Sequence, residues 1–312
     1  MTGPPSIPQL KTVIKDRLRS RAIFTQLAFC FFYTITRPMS GFVEHIKFNR
    51  KALRALLAIS GILLLAWGGC WFFQNHGRFW AHRVAPKLFK PKIVFVIDDI
   101  GEHDKLKNEL ARLGSKVTYA ILPLRDFSVY FTAQAKRMHA DVILHLPLET
   151  VHTDQFPGQG LITGEMTDSE ILSGLRRDLA SVPRHVGVNN HMGSKGTSDR
   201  RLMTIILREL KREKLFFLDS HTTSKSVAPE ICHAIGLPFL KSGIFLDNDN
   251  AVAAIKTQLV EFRRIARESG TAVAIGHYRK NTLDVLAEEI PQLEKEGFEI
   301  ISLRNVLKIQ TD

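Results

Sequence analysis

The chain has 312 residues, of which 45% are hydrophobic and 24% are charged, as in ordinary globular proteins, and this composition excludes extensive disorder. The net charge of +12 belongs to the first 92 residues, where 15 Lys and Arg face only Asp16 and Glu44, because the other 28 basic and 29 acidic residues nearly cancel. We therefore predict no nucleic-acid partner for the C-terminal part. Since Cys232 is the only cysteine beyond residue 92, we predict no disulfide framework there either.

Residues 55–73 form a run of 19 residues without a charged side chain, close to the ~20 needed to cross a bilayer. Ten Lys and Arg precede this run and five follow it within about 20 residues, which predicts a cytoplasmic N-terminus. We predict a basic cytoplasmic segment (1–54), a single-pass anchor in the inner (cytoplasmic) membrane (55–74), a linker (75–91) and one periplasmic or extracellular domain (92–312).

Two features of the N-terminal part allow other interpretations. A cleaved signal peptide would also be apolar, but this run is long for one and no small-residue cleavage pattern follows it. The earlier uncharged stretch, residues 22–35, is too short to span a membrane. It is either an interfacial segment or part of a sequence that precedes a true start at Met39.

Beyond residue 91, short apolar runs alternate with amphipathic stretches, a pattern typical of repeated β–α units around a parallel sheet. The predicted strands are 93–97, 116–121, 141–144, 185–188, 215–218, 238–240 and 272–275, with 299–301 as a possible eighth. The clearest predicted helices are 168–180, 199–212 and 251–268, with Asp168 and either Ser198 or Asp199 as N-caps. Seven or eight such units indicate a closed α/β barrel.

Residues that bind metals or move protons follow five of these strands. They are Asp98 and Asp99, His145 with Glu149, Asn189 to His191, Asp219 to His221, and His277. Because the loops after parallel strands meet at one face of a barrel, we expect these side chains to converge. Each motif also has a purely structural interpretation, as a turn, a helix cap or a packed histidine, so the prediction depends on the joint pattern.

The residue types indicate a metal centre with an acid and a base. The adjacent carboxylates of Asp98 and Asp99 repel each other unless a cation takes one and the other titrates as a base. Imidazole and carboxylate groups, as at His145 and Glu149, suit zinc.

The remaining motifs supply a possible ligand, oxyanion donors and a proton donor. His191 could bind the metal, while neighbouring asparagine side chains or backbone N–H groups could meet a developing oxyanion. His277 could protonate a leaving group, and Asp219 could orient either His277 or the substrate.

Seven motifs occur in a fixed order along residues 92–308, and together they resemble the divergent polysaccharide deacetylase family, a branch of the carbohydrate deacetylases. The motifs are VFVIDDIG, VTYAILP, VILHLPLE, GVNNHMGS, FFLDSHT, FLDNDN and AVAIGH. The resemblance implies an α/β fold, a distorted (β/α)7-type barrel, here preceded by one transmembrane helix.

The resemblance also implies roles for individual residues. In the broader superfamily the first aspartate of the pair is the base and the second binds the metal, which implies Asp98 and Asp99. Glu149 stands where the family's second metal-binding histidine is found, four residues after His145. The loop 189–193 replaces an Arg-Pro-Pro-Tyr-Gly motif, and its His191 restores the lost ligand. Ile275, Gly276 and His277 match the final Leu-x-His motif.

The implied reaction is hydrolysis of an N-acetyl or O-acetyl group on an envelope polysaccharide or peptidoglycan, with a divalent metal, Zn²⁺ by preference. The implied ligands are Asp99, His145 and His191, with Glu149 as a fourth or outer ligand. The implied catalytic residues are Asp98, His277 and Asp219, and the implied substrate and oxyanion contacts are Asn189, Asn190, Met192 and Gly193. Two alternatives stay open. One is a non-catalytic module that binds glycan or protein, and the other is a phosphoester hydrolase, which the absence of a Gly-rich phosphate loop disfavours.

Overall fold

A computed structural model of the chain describes residue 60, residues 90–152 and residues 154–310. The predicted cytoplasmic segment and anchor lie outside the described residues except for Ser60, and the predicted linker lies outside them up to residue 89. Among the described residues, no helix is both long and apolar enough to cross a membrane.

Over the described residues, the chain alternates between nine strands and eight helices. The strands are β1 (Lys92–Ile100), β2 (Val117–Ile121), β3 (Val142–Leu148), β4 (Gly187–Met192), β5 (Phe216–Asp219), β6 (Phe239–Lys241), β7 (Ile244–Phe245), β8 (Thr271–His277) and β9 (Glu299–Ile300). The helices are α1 (Lys107–Leu113), α2 (Ser128–Arg137), α3 (Asp168–Ser181), α4 (Arg200–Arg212), α5 (Ala228–Ile235), α6 (Val252–Ser269), α7 (Lys280–Lys295) and α8 (Leu303–Gln310).

The strands form one parallel sheet in the order β6-β5-β4-β3-β2-β1-β8-β7, with β9 added beside the start of β1. The pairing of β1 with both β2 and β8 places the first strand in the middle of the sheet. In the described part of the chain the path of paired strands ends at β6 and β7, so the sheet is an open, distorted barrel. The predicted parallel α/β architecture is confirmed, whereas the predicted closure of the barrel is not found among the strands of the described residues.

The sheet is buried on both faces, as expected for strands that read as continuous apolar runs. Alternate strand residues pack against the helices, while the others form a second apolar cluster inside the curve of the sheet. The inner cluster comprises Val94, Val96, Ala120, Ile143, Phe216, Leu218, Leu240, Val273 and Ile275, together with Leu303, Val306 and Leu307 of α8. Because these residues come from six strands across the sheet, the sheet must curve around them.

The helix α8 closes the end of the barrel where the strands begin. Arg304 pairs with Asp141, which directly precedes β3, and the β9 strand just before α8 pairs with Lys92 and Ile93. The helix α8 does not cover the opposite end of the barrel, where the carboxyl ends of the strands lie. It is therefore the end at which polar residues that follow the strands can gather.

All eight predicted strands are present, and several run further than predicted. The strand β3 continues through Pro147 to Leu148, so His145 lies inside a strand and not in a loop after the predicted strand 141–144. The two-residue strand β7 was not predicted, since two residues give no periodicity. The N-cap of α3 is Thr167, which forms a capping box with Glu170, so the prediction of Asp168 was wrong by one residue. Asp199 caps α4 as predicted.

Asp178 of α3 is fully buried beneath the loop that connects β3 to α3. One of its oxygens accepts hydrogen bonds of 3.2 Å from Arg177, and the other has no hydrogen-bond partner. A Cβ at Gly160, whose φ is +85°, would lie 2.8 Å from that second oxygen, which shows how closely the backbone covers the carboxyl group. Burial raises the pKa of Asp178 to about 6.

We expect Asp178→Asn to stabilise the protein at pH 7.5 by about 2 kcal/mol and to have little effect near pH 4. The folded state holds a proton on Asp178 that the unfolded chain has released, so stability is lost as pH rises from about 4 through about 6. Denaturant unfolding at both pH values measures the difference. The exposed Asp126→Asn is the control, and an equal gain in that variant would contradict the prediction.

Candidate active site

The alternation of side chains along parallel strands carries the polar motifs to the inner face of the barrel. Val94 and Val96 of β1 belong to the inner cluster, so Asp98 points inward two residues later, beyond the apolar layer. Ile143 and His145 are related in the same way on β3, as are Ile275 and His277 on β8. The three strands β1, β3 and β8 therefore place ionisable groups next to the inner apolar cluster, toward the carboxyl ends of the strands.

Three potential metal ligands meet at this position: Asp99, His145 and His191. The His191 Nδ1 atom lies 3.0 Å from both His145 Nε2 and Asp99 Oδ1, and His145 Nε2 lies 3.2 Å from that same oxygen. Ligand atoms of a tetrahedral zinc ion are roughly 3.3 Å apart. The three atoms could therefore bind one ion after shifts of a few tenths of an ångström.

The orientation of His145 also fits a metal ligand. Asn189 donates its amide N–H groups to Asp98 Oδ1 at 3.0 Å and to Ser220 Oγ at 3.2 Å, which leaves its carbonyl oxygen to accept from His145 Nδ1 at 2.9 Å. When the ring is neutral with its proton on Nδ1, as a metal ligand must be, the Nε2 lone pair faces Asp99 and His191; in the metal-free chain a protonated Nε2 can donate to Asp99 instead. Asn189 thus fixes the tautomer of a ligand, as outer residues of metal sites do. Both donor groups and the acceptor of this amide are engaged within the protein, and the oxyanion contact of Asn189 stays a prediction.

The two adjacent aspartates diverge because the backbone turns between them. Asp99 has a φ of +63°, in the left-handed region, so its carboxylate leaves the alternation of β1 and reaches the two histidines. Burial alone would raise the pKa of Asp99, but hydrogen bonds with His145 and His191 more than offset burial, and this pKa lies well below its usual range.

Asp98 has the surroundings of a general base. Its side chain is 2% exposed, and its Oδ2 atom lies 3.6 Å from His145 Nε2. Burial raises the pKa of Asp98 above its ordinary value, despite the opposing effect of the histidines and Asn189. A carboxylate with a raised pKa accepts a proton more readily than an exposed one.

His277 lies beside Asp98 and is held by a carboxylate that the sequence analysis did not assign. Asp98 and His277 are partners in the β1–β8 register, on strands about 4.8 Å apart. The His277 Nδ1 atom lies 2.7 Å from Asp247 Oδ1, and the His277 backbone N–H donates to Asp247 Oδ2 at 2.8 Å. Burial would lower the pKa of His277, but the hydrogen bond and charge of Asp247 raise it overall. Its Nε2 is left to face the site.

Asp247 is fully buried and is also bonded by the Thr282 hydroxyl at 2.5 Å. It lies within the motif FLDNDN, so a signal for it existed in the sequence. The strand that precedes it, β7, is only two residues long, and Asp247 was therefore not recognised as a residue at a strand end.

Asp219 does not orient His277. It follows Phe217 of the helix-facing core by two residues, so it points away from the inner face, and it accepts a hydrogen bond from the His221 backbone at 2.7 Å. Its charge acts on the thiol of Cys232 in α5. The prediction that Asp219 could orient the acid is corrected: the orienting residue is Asp247.

Glu149 is likewise held outside the cluster of three ligands. Its Oε1 atom accepts from Lys195 Nζ at 2.6 Å, and its Oε2 atom accepts from the Gly164 backbone at 3.2 Å. Because β3 extends through Leu148, the four-residue spacing from His145 follows a strand, where it separates side chains by more than 10 Å. Glu149 therefore joins the loop after β3 to the loop after β4 through Lys195.

The loop after β4 is braced by its own side chains. Asn190 accepts from the Ser220 backbone at 2.9 Å and donates to the Met192 carbonyl at 2.7 Å, so its amide is engaged in structure. Met192 and Gly193 both have positive φ, and a Cβ at Gly193 would lie 3.0 Å from Leu148. This tight turn holds His191 in position as one of the three residues of the cluster.

We expect the full chain, stripped by a chelator and resupplied with zinc, to bind about one zinc ion per chain, and His191→Ala to reduce this to near zero. The reason is that His191 supplies one of three converging ligand atoms. Elemental analysis after removal of free metal gives the stoichiometry.

Two variants serve as controls for the metal measurement. His221→Ala removes an exposed histidine and Glu149→Gln removes the carboxylate bonded to Lys195, so both should keep their zinc. Loss of zinc in Glu149→Gln would show that Glu149 is a ligand after all.

We expect Asp247→Asn to lower the pKa of His277, because the carboxylate that stabilises the imidazolium is lost. NMR titration of the His277 ring in the metal-free chain measures this shift directly. Thr282→Val is the matched control, since it removes a hydrogen bond to Asp247 but keeps its charge. An unchanged His277 titration in Asp247→Asn would refute the assignment of Asp247 as its partner.

Residues 95–307 match the family described as divergent polysaccharide deacetylase. The chain is 34% identical over 215 residues to an uncharacterized protein of Haemophilus influenzae, with 69% of this chain and 76% of that protein covered. It is 31% identical over 202 residues to the uncharacterized protein YibQ of Escherichia coli, with coverage of 65% and 63%. The chain thus spans less than two thirds of the length of YibQ.

Among solved structures, an uncharacterized protein of Agrobacterium tumefaciens has the same fold. Its TM-score is 0.68 at 20% identity, and the match covers 70% of this chain and 90% of that one. The family match includes every residue of the acid, base and ligand set described above. The chain belongs to the divergent polysaccharide deacetylase family.

Proposed function

We propose that this protein is a metal-dependent hydrolase that removes acetyl groups from an envelope polysaccharide or peptidoglycan. One observation carries the proposal: a buried carboxylate, Asp98, lies between a three-ligand cluster and a histidine fixed by its own carboxylate. A module that only binds a glycan needs neither a base nor an acid at such positions.

The residues fit a hydrolytic mechanism in which a base and an acid flank the scissile bond. A divalent ion held by Asp99, His145 and His191 would supply Lewis-acid polarisation of the acetyl carbonyl and a lowered pKa for a nearby water. Asp98, with its raised pKa, takes the proton of the attacking water. Asn189 keeps the Asp98 carboxylate in place through its hydrogen bond to Oδ1.

His277 would complete the reaction by donating a proton to the departing nitrogen or oxygen of the sugar. Asp247 keeps the proton on Nδ1 and raises the pKa, so that His277 is cationic at a higher pH than an isolated histidine. Phe245 stacks on the His277 ring with a centroid separation of 6.0 Å and restricts its rotation. The Nε2 proton is thereby aimed at the site.

We also propose that the enzyme works outside the cytoplasm, held to the inner membrane by residues 55–74. The proposal is supported by the 19-residue uncharged run and by the excess of Lys and Arg before it. An envelope location would place the catalytic domain on the same side of the membrane as the proposed polymer.

We expect the zinc-loaded full chain, in an uncharged detergent, to release acetate from acetylated chito-oligosaccharides or peptidoglycan fragments, and Asp98→Asn to slow release by about 100-fold or more. The variant should keep its zinc, because Asp98 is not one of the three converging ligands. Enzymatic assay of acetate and elemental analysis are run on the same samples.

Asp219→Asn is the matched control, since Asp219 faces the helices and its amide analogue retains the oxygen bonded to His221. It should keep near-normal acetate release. A zinc-loaded chain that releases no acetate from either class of glycan would overturn the proposal and favour a binding module.

A further inference from the structure

The end of the barrel opposite the metal centre contains a cavity of about 350 Å³ with basic walls. Its lining includes Thr132, Lys136, His139, Val142, Arg184 and Arg304. Val142 is the first residue of β3, and His145 follows three residues later, so the cavity lies about 10 Å or more from the ligand cluster. It belongs to a separate part of the surface.

The charges around this cavity are not balanced. Lys136, Arg184 and Arg304 carry three positive charges, and Asp141 is the one carboxylate of the described residues that forms an ion pair with any of them. No Asp or Glu in the described part of the chain lies within 4.0 Å of the charged nitrogens of Lys136 or Arg184. The cavity therefore retains an excess of two positive charges.

Arg304 is fixed in position at the wall of the cavity. Its guanidinium pairs with Asp141, and its backbone N–H donates to the other oxygen of Asp141 at 3.2 Å. The Asp141 side chain is only 4% exposed, so this pair is held by the core of the barrel. Arg304 therefore offers its remaining N–H groups without a large loss of side-chain freedom.

Two further residues present basic side chains from turns of the same kind. His139 follows α2 and Arg184 follows α3, each with a left-handed backbone, φ 56° and 66°. Glycine is the residue that adopts this conformation at least cost. His139 and Arg184 line the cavity, and each adopts the left-handed conformation that glycine adopts at least cost.

A simpler explanation for one of these charges is the helix dipole. Lys136 lies in the last turn of α2, where cations are stabilised by the backbone carbonyls. Arg137 lies in the same turn and has the same benefit, but it does not line the cavity. Comparison of these two neighbours separates a ligand site from a helix-end effect.

We propose that this cavity binds a phosphate group. Two guanidinium groups and one ammonium group suit the oxygens of a phosphate, which accept several charge-assisted hydrogen bonds at once. The excess of two positive charges can neutralise either the single negative charge of a phosphodiester or the two negative charges of a phosphate monoester. The proposal does not depend on the hydrolase activity proposed above.

Two sources could present such a group: the headgroup of an anionic phospholipid or a soluble phosphate compound. The strand β1, the first strand after the predicted linker, also begins at this end of the barrel. The predicted anchor, residues 55–74, would bring the domain to a membrane surface, where basic pockets bind lipid headgroups.

We test the proposal by calorimetric titration of the full chain in an uncharged detergent, with inorganic phosphate and with dihexanoylphosphatidylglycerol as separate probes. We expect saturable binding of at least one probe, weakened about tenfold by Lys136→Gln and by Arg184→Gln. Arg137→Gln, with the same loss of charge on the same turn, should change the affinity less than twofold. Circular dichroism spectra, measured on all four proteins, report that each is folded.

The affinities for the two probes identify the source of the phosphate group or overturn the proposal. Tighter binding of the lipid identifies a membrane headgroup as the source, while tighter binding of inorganic phosphate identifies a soluble compound. Absence of saturable binding with either probe, or an equal loss of affinity in Arg137→Gln, overturns the proposal in favour of helix-end stabilisation.

Discussion

The amide of Asn189 is the contact on which the arrangement of the site depends. It is buried at the end of β4, where its nitrogen meets Asp98 and Ser220 and its oxygen meets His145. An amide has one acceptor side and one donor side, so this single side chain donates to Asp98 and accepts from His145. Asp98 receives a proton donor, while His145 is left with its Nε2 lone pair directed at Asp99 and His191.

That contact is possible because every strand supplying the site is buried on both faces. One set of alternate residues packs on the helices, and the other forms the inner apolar cluster. Polar groups on the inner face are therefore confined to the carboxyl ends of the strands. There the carboxylates and imidazoles lie in partly dry surroundings, where an unpaired charge is costly. A cation among Asp99, His145 and His191 would neutralise the closest of these groups, and the Asp247–His277 pair neutralises another.

The two ends of the barrel have different electrostatic designs. At the end that holds the proposed active site, carboxylate and imidazole groups lie within hydrogen-bond distance of one another. At the other end, Lys136 and Arg184 carry charge without carboxylate partners among the described residues, beside an arginine held by Asp141. Such an imbalance is consistent with a partner that supplies negative charge.

The sequence by itself determined the parallel α/β architecture and eight of the strands, and it singled out Asp99, His145 and His191, whose potential ligand atoms converge in the structure. Apolar runs of strand length report burial, and residues after strands must meet at one end of a parallel sheet. The family motifs could be read for the same reason, since they are contiguous in the chain.

Only the tertiary structure decided which neighbours these residues have. Asp247 and His277 are 30 positions apart, and Asp247 follows a strand too short to show periodicity. The face on which Asp219 lies and the extension of β3 past Pro147, which carries Glu149 away from the ligands, depend on where each strand ends. Local sequence sets the strand, but the last one or two residues of a strand are fixed by pairing with its neighbours, and those residues carry the chemistry.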